Sequence, residues 1–266
     1  MTISTLTDAV LERALRELRA TAPASVGSGA LVATGLADRY ARIDTALGRA
    51  FVAWNGRGVS WVGQAPDADT FESRFRAEVG RNITAAEALP ARLADAIRRR
   101  LAGDRRVRIP LDLRGHTPFE VAVWMKALEI PRGEVRPYGW VAAEIGRPRA
   151  VRAVGTALAH NPVPLVVPCH RVVRSDGLIG QYSMGGPDAK RRVLGSEGLD
   201  TGWLEAEAAR GIRFTGSDTT HIVCNPTCRD ARRVTPRHRV TFPSLAAAAG
   251  AGYRPCKHCR PVSLAA

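Results

Sequence analysis

Four of the five cysteines fall in the last 43 residues as two close-spaced pairs, Cys224-Asn-Pro-Thr-Cys228 and Cys256-Lys-His-Cys259, with 27 residues between the pairs. Two such knuckles bring four thiolates within tetrahedral reach of one cation, the usual arrangement of a structural zinc site. The competing reading is two redox pairs or free thiols. An odd cysteine count argues against a disulfide framework, and Cys169 is left as a lone thiol. His221, His238 and His258 are then spare and expected at the surface. Residues 213–266 carry nine basic side chains against two acidic ones, and Glu205 to Gly211 reads as a charged, alanine-rich connector, so a domain boundary is expected near Gly211.

The 266 residues, 45% of them apolar, suffice for two or three modest cores. Apolar spacing over residues 7–20 predicts an amphipathic helix, followed by a small-residue linker from Thr21 to Gly29. Tyr40 to Asp44, Ala50 to Trp54 and Val59 to Val62 predict a short β-meander, with Gly48 and Asn55-Gly-Arg-Gly58 as its turns. Phe71 to Val79 and Leu89 to Leu101 predict helices. From Thr117 the pattern turns mostly helical, with one helix stopped by Pro131-Arg-Gly133, then Tyr138 to Ile145, then Ala150 to Ala159 after the turn Gly146-Arg-Pro-Arg149. The last two make a helix-turn-helix candidate with Arg147, Arg149 and Arg152 near the second N-terminus.

The formal net charge is +14, an excess that attracts polyanions such as nucleic acid, although solvated surface arginines give the same number. No apolar run approaches the roughly 20 residues of a membrane span, and residues 1–20 lack a secretory core, so a soluble, cytoplasmic protein is expected, without a membrane partner.

The most informative segment is Asn161-Pro-Val-Pro-Leu-Val-Val-Pro-Cys-His-Arg-Val-Val173. Lone buried cysteines are usually inert core residues, but Cys169 arrives beside His170 and Arg171, and an imidazole that takes the thiol proton makes a nucleophile. Adjacent residues of an extended chain face opposite ways, so the sequence alone does not bring the two side chains together.

This segment closely resembles the active-site signature of the O6-alkylguanine-DNA alkyltransferases. The likeness runs from Leu111-Asp-Leu-Arg114 through Arg152-Ala-Val-Gly155, Asn161-Pro-Val-Pro164, Gly177-Leu-Ile-Gly-Gln-Tyr-Ser183 and Ser196-Glu-Gly198. Residues 39–63 look like the family's small N-terminal domain. The resemblance implies irreversible, single-turnover transfer of an alkyl group from O6-alkylguanine, with O4-alkylthymine as a further substrate, in double-stranded DNA to Cys169 after base flipping. It makes His170 a water-linked base, Glu197 the carboxylate that orients it, and Asn161 the organiser of the turn before an active-site strand. Arg152 would fill the gap left by the extruded base, with Arg147 and Arg149 on the DNA. Tyr138 would crowd the phosphate and donate a proton to the guanine. Val172, Tyr182 and Ser183, with the Cys169 backbone, would line the base pocket. The sequence departs from the family in Gln181-Tyr-Ser-Met-Gly-Gly186, where Met184 is an extra residue in the pocket loop.

The tail resembles the zinc-bearing domain of the bacterial adaptive-response proteins in Ile222 to Cys228, Phe242-Pro-Ser, Ala247 to Tyr253 and Arg254 to Pro261. That resemblance implies one Zn2+ on Cys224, Cys228, Cys256 and Cys259, and Cys224 as a second alkyl acceptor, from methylphosphotriesters. The domain order is inverted, so repair or plain DNA docking is expected ahead of transcriptional activation. The rival reading is a DNA-binding alkylation sensor or regulator without efficient repair. The expected architecture is α+β and monomeric: residues 1–36 a helix and linker, 37–113 a small β/α domain, 114–205 the helical catalytic domain, and 212–266 the zinc domain.

Overall fold

The computed structural model describes residues 24–263, so the helix expected over residues 7–20 lies outside the described residues. Helix α1 (Ala24–Thr34) occupies most of the stretch expected to be a linker. Its glycines and serines are weak helix formers, and tertiary packing overrides them. The end of α1 lies on the β2–β3 turn, where Gly56 N–H donates to Val32 O at 2.8 Å and any Cβ on Gly56 would overlap the Ala33 carbonyl.

The expected meander is present as β1 (Ala37–Thr45), β2 (Gly48–Asn55) and β3 (Gly58–Gly63), all antiparallel. A fourth strand, β4 (Asn82–Ala85), joins β1 in parallel and gives the order β3-β2-β1-β4. The crossover that parallel pairing requires is α2 (Ala68–Val79), capped by Asp67, whose carboxylate accepts from Thr70 N at 2.7 Å. Phe71 and Phe75 of α2 are fully buried against Tyr40 and Phe51 of the sheet, and α3 (Ala91–Leu101) follows.

The middle part begins with α4 (Pro118–Ala127), whose start is a capping box between Thr117 and Glu120. Then come β5 (Arg136–Pro137), α5 (Tyr138–Glu144) and α6 (Val151–Ala159), the helix-turn-helix pair, which pack on each other and on α4. Trp124 of α4 is fully buried and donates Nε1–H to Ala157 O of α6 at 2.7 Å. A single 3-10 turn, Cys169–Arg171, leads into β6 (Val172–Val173), which pairs with β5 in parallel.

Helix α7 (Gly186–Ser196) carries the chain past that turn, and α8 (Thr201–Ala209) follows. Helix α8 corrects the connector expected from Glu205: Asp200 caps it, Leu204 and Ala208 are buried, and its charges are paired, as in Arg191 with Glu205 at 2.9 Å. The last part is a four-stranded sheet in the order β10-β8-β7-β9, from β7 (Phe214–Ser217), β8 (Ile222–Cys224), β9 (Arg239–Phe242) and β10 (Arg254–Pro255). It has its own small core of Phe214, Val223, Phe242, Ala248 and Tyr253, with the short helices α9 (Arg229–Arg232) and α10 (Leu245–Gly250). Among the described residues, no helix is long and apolar enough to cross a membrane.

Candidate active site and zinc centre

Cys169 does not sit in an extended strand but opens the 3-10 turn that precedes β6, its N–H donating to Val167 O at 2.8 Å. Asn161 builds the approach to it. Its side chain accepts from Val163 N at 3.0 Å and donates Nδ2–H to Val167 O and to the Cys169 sulfur, both at 3.1 Å. Every residue from Asn161 to Val173 is buried. Within this run Leu165 holds φ +71°, a left-handed conformation that costs a leucine strain and that the surrounding core enforces.

His170 and Glu197 meet with Nε2 and Oε1 2.9 Å apart. The other imidazole nitrogen, Nδ1, is buried without a hydrogen-bond partner among the described residues. The same carboxylate takes a forked guanidinium from Arg171, with contacts of 2.7 to 3.1 Å. Burial alone would raise the Glu197 carboxyl, but hydrogen bonds from His170 and Arg171 outweigh it and hold it at about 2. Burial pushes the His170 imidazole down, against the pull of Glu197, so the ring stays neutral with its lone pair free on Nδ1. Burial likewise pushes the Cys169 thiol up, opposed first by the Asn161 hydrogen bond and then by the charge of Lys190.

Lys190 was not singled out from the sequence. It is 1% exposed, donates Nζ–H to Val172 O at 2.6 Å and Gln181 O at 3.2 Å, and burial pushes it down to about 8. The signal was available: Lys190 shares the buried face of α7 with Ala189, Val193 and Leu194, where a lysine needs a partner.

Tyr138 opens α5, half-buried; burial and then the Cys169 charge raise its phenol. Tyr182 is buried with its ring 6.0 Å from that of His170, and Ser183 is exposed. Met184 turns inward, its sulfur 3.6 Å from the Tyr182 hydroxyl. Asn161, Ser183 and Met184 line a cleft of about 600 Å³ that reaches Trp61 and Arg74 of the N-terminal sheet region. Arg147 and Arg149 in the turn and Arg152 in the first turn of α6 are all exposed, with no ion pair among the described residues.

In the tail, the sulfurs of Cys224, Cys228, Cys256 and Cys259 lie within 4.8 Å of one another, all buried. Backbone N–H groups point at them: Asn225 N–H donates to the Cys259 sulfur at 3.3 Å, and those of Asp230 and Ala231 face Cys228. Hydrogen bonding to Cys228 and Cys259 pushes the Cys224 thiol up when no cation balances them, and four thiolates so placed fit one Zn2+. Cys228 and Cys259 are fully enclosed, whereas Cys224 lines a cavity of about 390 Å³ with Thr215, Ser217, Asp230 and Arg233. Two of the histidines expected to be spare at the surface each pair there with an acid: His258 with Asp230 at 2.5 Å and His238 with Asp218 at 2.9 Å.

Residues 118–199 match the family model described as 6-O-methylguanine DNA methyltransferase, DNA binding domain, and residues 205–262 match the metal binding domain of Ada. The mouse methylated-DNA–protein-cysteine methyltransferase is 34% identical over 195 residues, spanning 67% of this chain and 89% of that protein. The chain belongs to the methylated-DNA–protein-cysteine methyltransferase family. Another relative, the bifunctional transcriptional activator/DNA repair enzyme Ada of Escherichia coli, is 40% identical over 56% of this chain, which spans only 43% of Ada. Among solved structures, Mycobacterium tuberculosis OGT in complex with DNA is 32% identical, covering 63% of this chain and 99% of that one with a TM-score of 0.49. In this chain the metal-binding match follows the methyltransferase match.

Proposed function

We propose that this protein repairs alkylated double-stranded DNA by taking the alkyl group from O6-alkylguanine onto Cys169, once per molecule. The observation that carries the reading is the Asn161–Cys169 contact beside a neutral His170 that is oriented by Glu197. His170 Nδ1 takes the thiol proton through a bridging water. The sulfur forms a bond to the alkyl carbon as the carbon–O6 bond breaks, and the departing guanine takes a proton from Tyr138. The product is a thioether, which has no route back to thiolate.

An O6-alkyl group inside the duplex is out of reach of a buried sulfur, so the nucleotide must leave the stack, at a cost of a few kcal/mol. Arg152, exposed at the start of α6 and without an ion pair among the described residues, fills the gap in this reading, with Arg147 and Arg149 on the phosphates. Val172, Tyr182 and Ser183 receive the base. The domains divide at 37–113, 114–205 and 212–266, and the protein acts as a cytoplasmic monomer. Incubation with O6-methylguanine duplex and peptide mass mapping tests this: one methyl on Cys169, absent in Cys169→Ala, supports it. DNA binding with an unmodified Cys169 leaves a sensor instead.

A second acceptor is favoured by a separate observation, the cavity that Cys224 alone among the four zinc ligands lines. Zinc keeps that sulfur ionised, and methylphosphotriesters are the substrate class. Duplex carrying such a triester should add one methyl to Cys224 in the Cys169→Ala protein, and no mass gain there removes the reading.

A further inference from the structure

The zinc centre is joined to the active site by one short strap, Gly133 to Pro137, and by the helix that follows it. On one face of the strap, Gly133 N–H donates to the Glu197 carboxylate at 3.2 Å, and Arg136 pairs in register with Val172. On the other face, the Cys224–Cys228 knuckle closes on it. Thr227 Oγ1, fully buried, accepts from Val135 N at 2.9 Å and donates to Val135 O at 3.3 Å, and Arg229 N–H donates to Glu134 at 3.1 Å. Glu134 in turn binds Arg136 at 2.6 Å. Tyr138 follows the strap directly as the first residue of α5.

The other knuckle grips the far end of the same helix. Arg260, next to Cys259, makes a two-pronged pair with Glu144, at 3.0 and 2.5 Å, and stands 5.8 Å from the Trp140 ring. Helix α5 is only seven residues long and has no side-chain cap of its own. A helix that short is not stable alone and takes its position from its neighbours.

We propose that the two zinc knuckles clamp α5 at both ends, so that Thr227 and Arg260 are positioning residues for Tyr138 in alkyl transfer at Cys169. This rests on the transfer reading above. The zinc domain then serves the first acceptor as well as carrying the second, and an intact zinc site is a condition for fast transfer by the full chain.

The test uses full-length Thr227→Val and Arg260→Met, with the exchanged pair Glu144→Arg/Arg260→Glu as rescue. Arg260 is about half exposed, so its loss does not threaten folding. Single-turnover transfer is measured over a range of O6-methylguanine duplex concentrations, with hydrogen exchange over residues 134–144. If wild type does not methylate Cys169, the transfer reading itself has failed. With wild type active, the clamp predicts faster exchange in α5 and a maximal rate constant lower by about tenfold in Thr227→Val, the size of one lost buried hydrogen bond, and by about threefold in Arg260→Met, whose ion pair is partly exposed, with half-saturation little changed. Most of the Arg260→Met loss should return in the exchanged pair. Unchanged maximal rates in both single variants, or an exchanged pair no better than Arg260→Met, overturn the clamp.

Discussion

Asn161 donates its side-chain amide to the sulfur of Cys169 at 3.1 Å, the only side-chain hydrogen bond to that sulfur among the described residues. The contact favours thiolate over thiol and counters the burial that pushes Cys169 up. Asn161→Asp replaces the donor with an anion at the same distance and should suppress transfer by about a hundredfold or more, since a like charge there costs several pKa units. Asn161→Ala also strands Val163 N and Val167 O, at about 1–3 kcal/mol for each buried group left unpaired. Single-turnover rates and urea unfolding of both variants separate the two effects: Asn161→Asp must lose more rate than Asn161→Ala, or the charge argument fails.

Acid should unfold this protein partly through Glu197. Its carboxyl has an ordinary value of 4.5 and is held at about 2 in the folded chain. A depressed folded value stabilises above 4.5 and is lost as pH falls from 4.5 toward 2, about 3 kcal/mol in all. His170, pushed down by burial, acts in the same direction, because the unfolded chain takes up its proton first. Denaturant unfolding from pH 7 to 3 should show this slope, flattened in Glu197→Gln. That variant also leaves Arg171 buried without its anion, so it should be less stable at pH 7. Equal slopes in the two proteins would place the acid sensitivity elsewhere.

Much of this site was legible because its chemistry is local in sequence. The turn at Gly146 to Arg149, the run into Cys169 and the paired cysteines are all short-range patterns, and the structure brings them together as elements. The misreadings share a cause in tertiary packing. Helix α1 forms from a glycine- and serine-bearing stretch because the β2–β3 turn supports it, and α8 forms because Leu204 and Ala208 have a core to enter. Strand β4 has too few apolar residues to announce itself, and only Ile83 is buried. Lys190, Thr227 and Arg260 act across 18, 92 and 116 residues of sequence, distances at which no spacing rule operates.

Lys190 should matter most below its own titration. Its charge faces Cys169, and it holds the Val172 carbonyl at the pocket wall. Lys190→Met should slow transfer at neutral pH by about tenfold, the effect of roughly one pKa unit on the thiol. Burial brings Lys190 down to about 8, so above that pH wild type loses the charge too, and the ratio between the two proteins should narrow. A pH series of single-turnover rates reads this directly, and a ratio constant from pH 6.5 to 9.5 would show that Lys190 acts by packing alone.

Arg152 offers the cleanest separation of stability from function. It is exposed and makes no ion pair among the described residues, so Arg152→Ala should leave unfolding within about 0.5 kcal/mol of wild type. Holding a nucleotide out of the stack costs a few kcal/mol, and losing the side chain that fills the gap should slow transfer from duplex by about a hundredfold. A single strand has no partner base to replace, so transfer from a single-stranded oligonucleotide should fall far less. Arg152→Lys should recover part of the duplex rate, since it keeps length and charge but not the planar guanidinium that stacks among bases. Measuring both substrates with the three proteins decides the point: equal losses on duplex and single strand would assign Arg152 to phosphate binding and leave extrusion to Tyr138.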